Sequence, residues 1–269
     1  VDRQVPSNGL SVECLSYAIK SFGFAPRLYH RAAFSNLHNI LGCYVESGIP
    51  VVVGLSNRNA VIKAEDWIGH AVICAGHEVV TSIMIDAACS ANGCTEVYDT
   101  PLGTIDVLDY DNIPKRFLFI DDNYPPYQLD FLSSPTARYN NETKWKDCVI
   151  ESIITPLYGK IYMESYIAKG YIKNLLQQSA YFKHLCGKLV SLRTFLCSTR
   201  SYRDYVNSSD MSDDMKHIIS IIFAPKFIWV TEIAGIDDLK NGRASDLIIL
   251  DATSRQNAYF EPLLVAFSA

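Results

Sequence analysis

The chain has no apolar run of membrane-spanning length, no dense block of basic residues, and none of the short signatures that announce the common nucleotide, serine-hydrolase or zinc-peptidase sites. Its longest apolar stretches, IPVVVGL and HAVICAG, are strand-sized, far short of the roughly 20 residues a bilayer helix requires. A membrane span is therefore not expected. Lys and Arg number 24 against 29 Asp and Glu, a formal net charge of −5, so the positive field that attracts nucleic acid or anionic lipid is missing. A P-loop, a dinucleotide glycine fingerprint, a Gly-x-Ser-x-Gly elbow and a His-Glu-x-x-His helix are all absent, which removes the usual support for those chemistries. Low-complexity tracts and obvious internal repeats are absent too. No cofactor and no metal ligand set is assigned from these residues.

What is present is a chain of 269 residues, 49% hydrophobic, enough for one large domain or two modest ones with real cores. Eight cysteines are scattered along it, several inside apolar runs such as VICAG and RTFLCST. Free cysteine in that setting packs as a small hydrophobe and suits a reducing cytoplasm, the expected location. Cys89 and Cys94 flank an Asn-Gly turn. They are read as loop residues, a disulfide or half a metal site being the weaker choices, because zinc needs further ligands and His77 is the only nearby candidate. The opening VDRQVPSNG carries neither an initiator Met nor a signal-peptide pattern, so Val1 reads as an artificial boundary or a processing site.

Periodicity places a short amphipathic helix over Ser11 to Phe22 and another over Asn36 to Val45, then strands at VVVGL, HAVICAGHEVV and FLFID. Between the last two, turn signals at Asn92-Gly93 and Pro101-Leu102-Gly103 predict an inserted hairpin. Beyond Pro125-Pro126, the polar SSPTARYNNETKW reads as a linker or surface loop. Strands are then expected at Cys148 to Leu157, LVSLRTFLCS, FIWVTEIA and DLIILDATS, with helices over Glu164 to Phe182 and Asp210 to Phe223. Helices followed by strands with intervening turns indicate an α+β fold. The expected division is residues 1–140 and 141–269, the second part either an α/β extension or the completion of the first part's sheet.

His70 is the sharpest candidate for chemistry. It follows Gly69 at the head of an apolar strand, while Asp121, Asp122 and Asn123 sit at the tail of FLFIDDN. A carboxylate accepting from one imidazole nitrogen fixes the tautomer and leaves the other nitrogen as a base. Side-chain alternation allows only one of the two acids to meet His70 if the strand persists that far. Asp122 is favoured, Asp121 is the alternative, and Asn123 is a further candidate for the orienting role.

The order SGIPVVVGL, GHAVICAGHE, FLFIDDNYPPYQL resembles the histidine half of papain-like cysteine peptidases, specifically bacterial domains similar to the leader-cleaving peptidases of bacteriocin exporters. The resemblance covers residues 8 to 130. It implies an antiparallel sheet with packed helices, His70 as general base, and Asp122 or Asp121 as its orienter. It further implies a nucleophilic cysteine at the head of a first helix, preceded by an oxyanion-hole glutamine. GLSVECLSYAIKSFGF resembles the helix after that one, so the resemblance places the nucleophile before Val1. The wide interval between His70 and Asp122 implies an insertion relative to the family.

Cys14 is the alternative nucleophile within the chain, in the first turn of a helix where the dipole favours thiolate, with Gln4 as an imitation oxyanion donor. Its place beside the apolar stripe equally suits a packing residue. Trp67 and Tyr124 are candidates to grip an extended peptide, though aromatic residues serve cores as readily. Three readings follow. The first is a thiol hydrolase acting on a peptide or amide bond. The second is a non-catalytic relative that binds a peptide or protein partner in the same cleft. In the third, His70 and the acid merely fix the strands. Nucleic acid and membrane are not expected as partners, and the residues do not specify an oligomeric state.

Overall fold

The computed structural model describes residues 10–57, 67–91, 95–139, 144–145, 147–178, 180–255 and 261–267. The fold is mixed α and β, built on two six-stranded sheets. The elements follow the sequence closely. Helix α1 (Val12–Ser21) starts at Ser11, whose side chain accepts from the Cys14 amide, and stops where Gly23 adopts φ 88°. Strand β1 (Phe24–His30), helix α2 (Leu37–Glu46), β2 (Val51–Ser56) and β3 (Gly69–His77) follow. The expected excursion contains helix α3 (Ser82–Ser90) as well as the hairpin β4 (Thr95–Thr100) and β5 (Gly103–Asp109). The helix escaped notice because SIMIDAACS is apolar on nearly every side and carries no clean stripe.

Strands β6 (Phe117–Ile120), β7 (Gln128–Asp130) and β8 (Val149–Tyr158) come next. Helix α4 (Ser165–Gln178), β9 (Leu189–Ser198), α5 (Thr199–Ser208), α6 (Asp213–Ile221), β10 (Phe227–Gly235), α7 (Ile236–Lys240), β11 (Asp246–Asp251) and β12 (Leu264–Phe267) complete the chain. Helices α5 and α7 were not expected from the pattern. The first is strongly polar on its outer face, and the second has only five residues.

The chain divides into two compact units, and the division crosses residue 140 in both directions. The first comprises residues 1–37, 49–76 and 117–159; the second comprises 38–48, 77–116 and 160–269. The chain thus passes from the first unit to the second three times and back twice, where the sequence suggested one cut.

The first unit holds the sheet ordered β1-β8-β2-β3-β6-β7. Its β1–β8, β2–β8, β2–β3 and β6–β7 pairs are antiparallel, and α1 packs on β1 and β8. Strand β8, from the second half of the sequence, lies between β1 and β2, so that half contributes to this sheet. Gly54 of β2 is required by close approach. A β-carbon there would sit 2.5 Å from the Ser152 hydroxyl of β8, beside an irregularity in the β2–β8 register. Val51, Val53 and Leu55 of β2, Val72 and Cys74 of β3, and Phe117 and Phe119 of β6 fill the core.

The second unit holds the sheet β12-β11-β10-β9-β5-β4, antiparallel at the printed pairs except the parallel β5–β9 contact. Trp229 of β10 is fully buried, and its indole N–H donates to the Met163 carbonyl at 3.0 Å. Helix α2 is tied into this unit by the Cys43 thiol, which donates to the Thr194 carbonyl. Ser47 Oγ likewise accepts from the Leu196 amide at 2.8 Å. Tyr202, Val206 and Ile219 of α5 and α6 close over Ile228, Val230 and Ile249. No helix among the described residues is long and apolar enough to cross a membrane.

Candidate functional site

Sheet order brings the head of β3 beside the tail of β6, and this juxtaposition makes the site. His70 shares its face of β3 with the buried Val72 and Cys74; Asp121 continues the buried face of Phe117 and Phe119 past the end of β6. His70 Nε2 and Asp121 Oδ1 are 2.9 Å apart. The acid that meets the ring closely is Asp121, whereas the expected Asp122 is 69% exposed and holds its carboxylate 3.6 Å from Nε2. Alternation along β6 turns one of the two acids inward once its phase is known. The inward phenylalanines at 117 and 119 supply that phase, and it points to 121.

Asp121 is a fixed acceptor. Its Oδ2 receives Arg138 Nη2 at 2.6 Å, Arg138 Nε at 3.2 Å and the Tyr139 hydroxyl at 2.9 Å. Its Oδ1 also receives the Asn123 amide at 3.0 Å. Arg138 is held in turn by the Asp130 carboxylate and by the Pro135 carbonyl at 2.7 Å. Burial alone would raise the Asp121 pKa, but the hydrogen bonds from Arg138, the Asn123 amide, His70 and Tyr139 outweigh it and hold the carboxyl at about 2. Burial and the adjoining carboxylate push the Tyr139 hydroxyl up to about 12, so it stays a donor. Asp121 is thus a permanent carboxylate that orients the ring.

Because Asp121 accepts at Nε2, that nitrogen carries the proton in the neutral ring and Nδ1 carries the lone pair. The hydrogen bonds and ion pairs of His70 all run through Nε2. Nδ1 therefore bonds no described residue. Asn123, the further orienting candidate, lies at 3.5 Å from Nε2 through its side-chain nitrogen and instead donates to the Tyr139 oxygen at 3.2 Å.

The aromatic wall beside His70 comes from the segment read as a linker. Trp145 meets the His70 ring edge to face at 5.4 Å between centroids and stacks on Tyr139 at 4.1 Å; Tyr124 meets Tyr139 at 4.5 Å. These rings shield the His70–Asp121 bond from water, which strengthens it. The Trp145 carbonyl accepts from Thr136 Oγ1 at 2.7 Å and from the Cys148 amide at 3.0 Å. Asn57, buried just after β2, donates to the Lys144 carbonyl at 3.0 Å and accepts from the Ile68 amide at 2.8 Å. It fastens the aromatic segment to the residues that lead into β3.

Of the expected grips, Tyr124 thus joins the wall, while Trp67 is 49% exposed. Arg138, Tyr139, Trp145 and Asn57 were not singled out from the sequence. The available signal was an Arg-Tyr pair and a Trp inside an otherwise polar stretch, where solvated loops have little use for them. A strained backbone also borders the site. Tyr127 has φ 71°, the one positive value for a non-glycine among the described residues.

No family model matches the chain, and no curated protein or solved structure matches it either.

The nucleophile implied by the resemblance is not among the groups that meet His70. Cys14 is exposed in the first turn of α1, and no hydrogen bond joins it to the ring. Burial raises the thiol pKa of Cys43 far above its ordinary value, that of Cys74 to about 12, Cys148 to about 11 and Cys197 to about 12. Those four are held as thiols. Gln4, Cys94 and the Asn92-Gly93 turn lie outside the described residues, and Cys89 is half-buried and packed against Ile85 and Ala88.

Proposed function

We propose that the first unit is a papain-like thiol-hydrolase domain acting on a peptide or amide bond, with His70 as general base and Asp121 as its orienter. One observation carries the reading. A solvent-reachable imidazole has one nitrogen locked by a permanently ionised acid, and the other nitrogen bonds no described residue.

In that reading, Nδ1 takes the proton of a thiol as the sulfur attacks the carbonyl carbon. The imidazolium is stabilised by Asp121 and returns the proton to the leaving amine. Water, activated by the same nitrogen, then releases the acyl group from sulfur. Trp145 and Tyr139 keep the His70–Asp121 bond dry through each proton transfer. The partly exposed Tyr124 and Trp145 rings would grip an extended peptide, the substrate class proposed.

A second reading is a non-catalytic relative that binds a peptide or protein through the same rings. It is favoured by a specific observation: among the described residues, no cysteine sulfur hydrogen-bonds to His70. The two are separated by a thiol-directed electrophile applied near neutral pH, with site-resolved mass spectrometry. The hydrolase reading expects one cysteine to label far faster than the rest, with that rate falling by roughly 10²- to 10⁴-fold in His70→Ala, the usual worth of a positioned base. Uniformly slow labelling, indifferent to His70, rules out a poised nucleophile among the cysteines of this chain.

A further inference from the structure

Three side chains converge at the head of β3, and their donor atoms are spaced as a metal ion requires. His70 Nε2 stands 2.9 Å from Asp121 Oδ1 and 3.6 Å from Asp122 Oδ1, and all three atoms lie within 4.8 Å of one another. Ligands bound at the short distances typical of zinc sit about 3 to 3.5 Å apart, so small adjustments close the set. We propose that His70 Nε2, Asp121 Oδ1 and Asp122 Oδ1 hold a divalent transition-metal ion, and that the ion switches off the base.

Two independent features support an ion here. One is the charge balance. Among the described ion pairs at this cluster, the carboxylates of Asp121, Asp122 and Asp130 are met by one guanidinium, that of Arg138. The other is preorganisation. Arg138 and Tyr139 engage only Oδ2 of Asp121, so that Oδ1, which also accepts from the Asn123 amide, faces the ring, while Asp122 is exposed and able to swing onto an ion. An imidazole with two carboxylate oxygens is a borderline donor set. It selects zinc, cobalt or manganese over magnesium and calcium, which prefer all-oxygen shells.

The switching follows from the tautomer. Coordination uses the Nε2 lone pair, so the proton that Nε2 shares with Asp121 must move to Nδ1, or leave if the ring was an imidazolium. Nδ1 then carries hydrogen and has no lone pair to accept a thiol proton. This half of the proposal rests on the thiol-hydrolase reading; the binding half does not.

The test titrates the chelator-treated full chain with Co²⁺, read by visible absorption. Eight cysteines compete for soft metals, and cobalt reports its ligands, because thiolate coordination adds intense sulfur-to-metal charge-transfer bands. The expected result is a saturable spectrum without those bands, displaced by Zn²⁺ but not by excess Mg²⁺, at least tenfold weaker in Asp122→Asn and lost in His70→Ala. Asp122 is exposed, so its variant keeps the fold. Wild-type affinity in Asp122→Asn, thiolate bands, or no cobalt binding each overturns the metal site. No hydrolysis enters this readout, so a failed hydrolase reading leaves it standing; cobalt bound with thiol labelling unslowed overturns the switch alone.

Discussion

Each unit contains a buried carboxylate paired to a histidine, and the two pairs are built for different ends. In the second unit, Glu46 takes His77 Nε2 at 2.6 Å and Arg193 Nε at 2.7 Å, while His77 Nδ1 faces the Glu78 carbonyl at 2.7 Å. Both ring nitrogens of His77 face acceptors at hydrogen-bond distance, so neither is left open for chemistry. Arg193 passes on to Glu232 at 2.9 Å and lies over the Tyr110 ring. That arrangement is a strut. In the first unit, His70 spends one nitrogen on Asp121 and leaves the other open. The difference teaches that a histidine–carboxylate contact signals a site only when the second nitrogen is left unspent.

The comparison is broken most severely by removing the guanidiniums. Arg138→Ala strands Asp121 and Asp130 side by side, and equilibrium denaturation should show a loss of about 3 to 5 kcal/mol, the cost of an uncompensated buried charge. Arg193→Ala, which leaves Glu46 to His77 alone, should cost somewhat less because Arg193 is the more exposed of the two.

Acid should act on both units alike. Glu46 is held at about 2, since His77 and Arg193 outweigh the effect of burial, and Asp121 is held at the same level. Both pKa values are depressed on folding, so the stability they contribute is present above the ordinary carboxylate range and is lost as pH falls from about 4.5 toward 2. The loss amounts to about 2 to 3 kcal/mol for each group. Urea midpoints measured across that window should fall steeply, and less steeply in Asp121→Asn than in wild type.

Substitution of the histidines sharpens the contrast. His70→Ala leaves Asp121 with Arg138, Tyr139 and the Asn123 amide, so its melting temperature should drop little, with a cost of about 1 kcal/mol. His77→Ala should cost more, because it removes a partner from both Glu46 and the Glu78 carbonyl. Equal losses at the two positions would put His70 among the struts. The smallest effect concerns reactivity. Cys43, Cys74, Cys148 and Cys197 should label slowly with iodoacetamide at mildly alkaline pH, and Cys14 faster, because only the last is exposed.

Much of the first unit was legible. β2, β3 and β6 fall on apolar runs bounded by turn residues, and His70 with Asp121, Asp122 and Asn123 stood out as polar groups at strand ends. Asp122 was favoured over Asp121, although the inward Phe117 and Phe119 set the phase that puts Asp121 beside the ring. Arg138, Tyr139 and Trp145 were not legible, because their segment has the composition of a loop and nothing local pairs it with Asp121, Asp130 or His70.

By itself the sequence determined the local elements: where apolar periodicity makes strands and helices, where Gly23 ends α1, and which residues bring ionisable groups to strand tips. Only the tertiary structure decided that residues 38–48 and 77–116 cluster with the C-terminal segment, that β8 enters between β1 and β2, and that Arg138 and Trp145 close around His70. The reason is physical. Periodicity records which face of an element is buried, whereas strand order and the pairing of buried charges depend on contacts between residues that no local pattern connects.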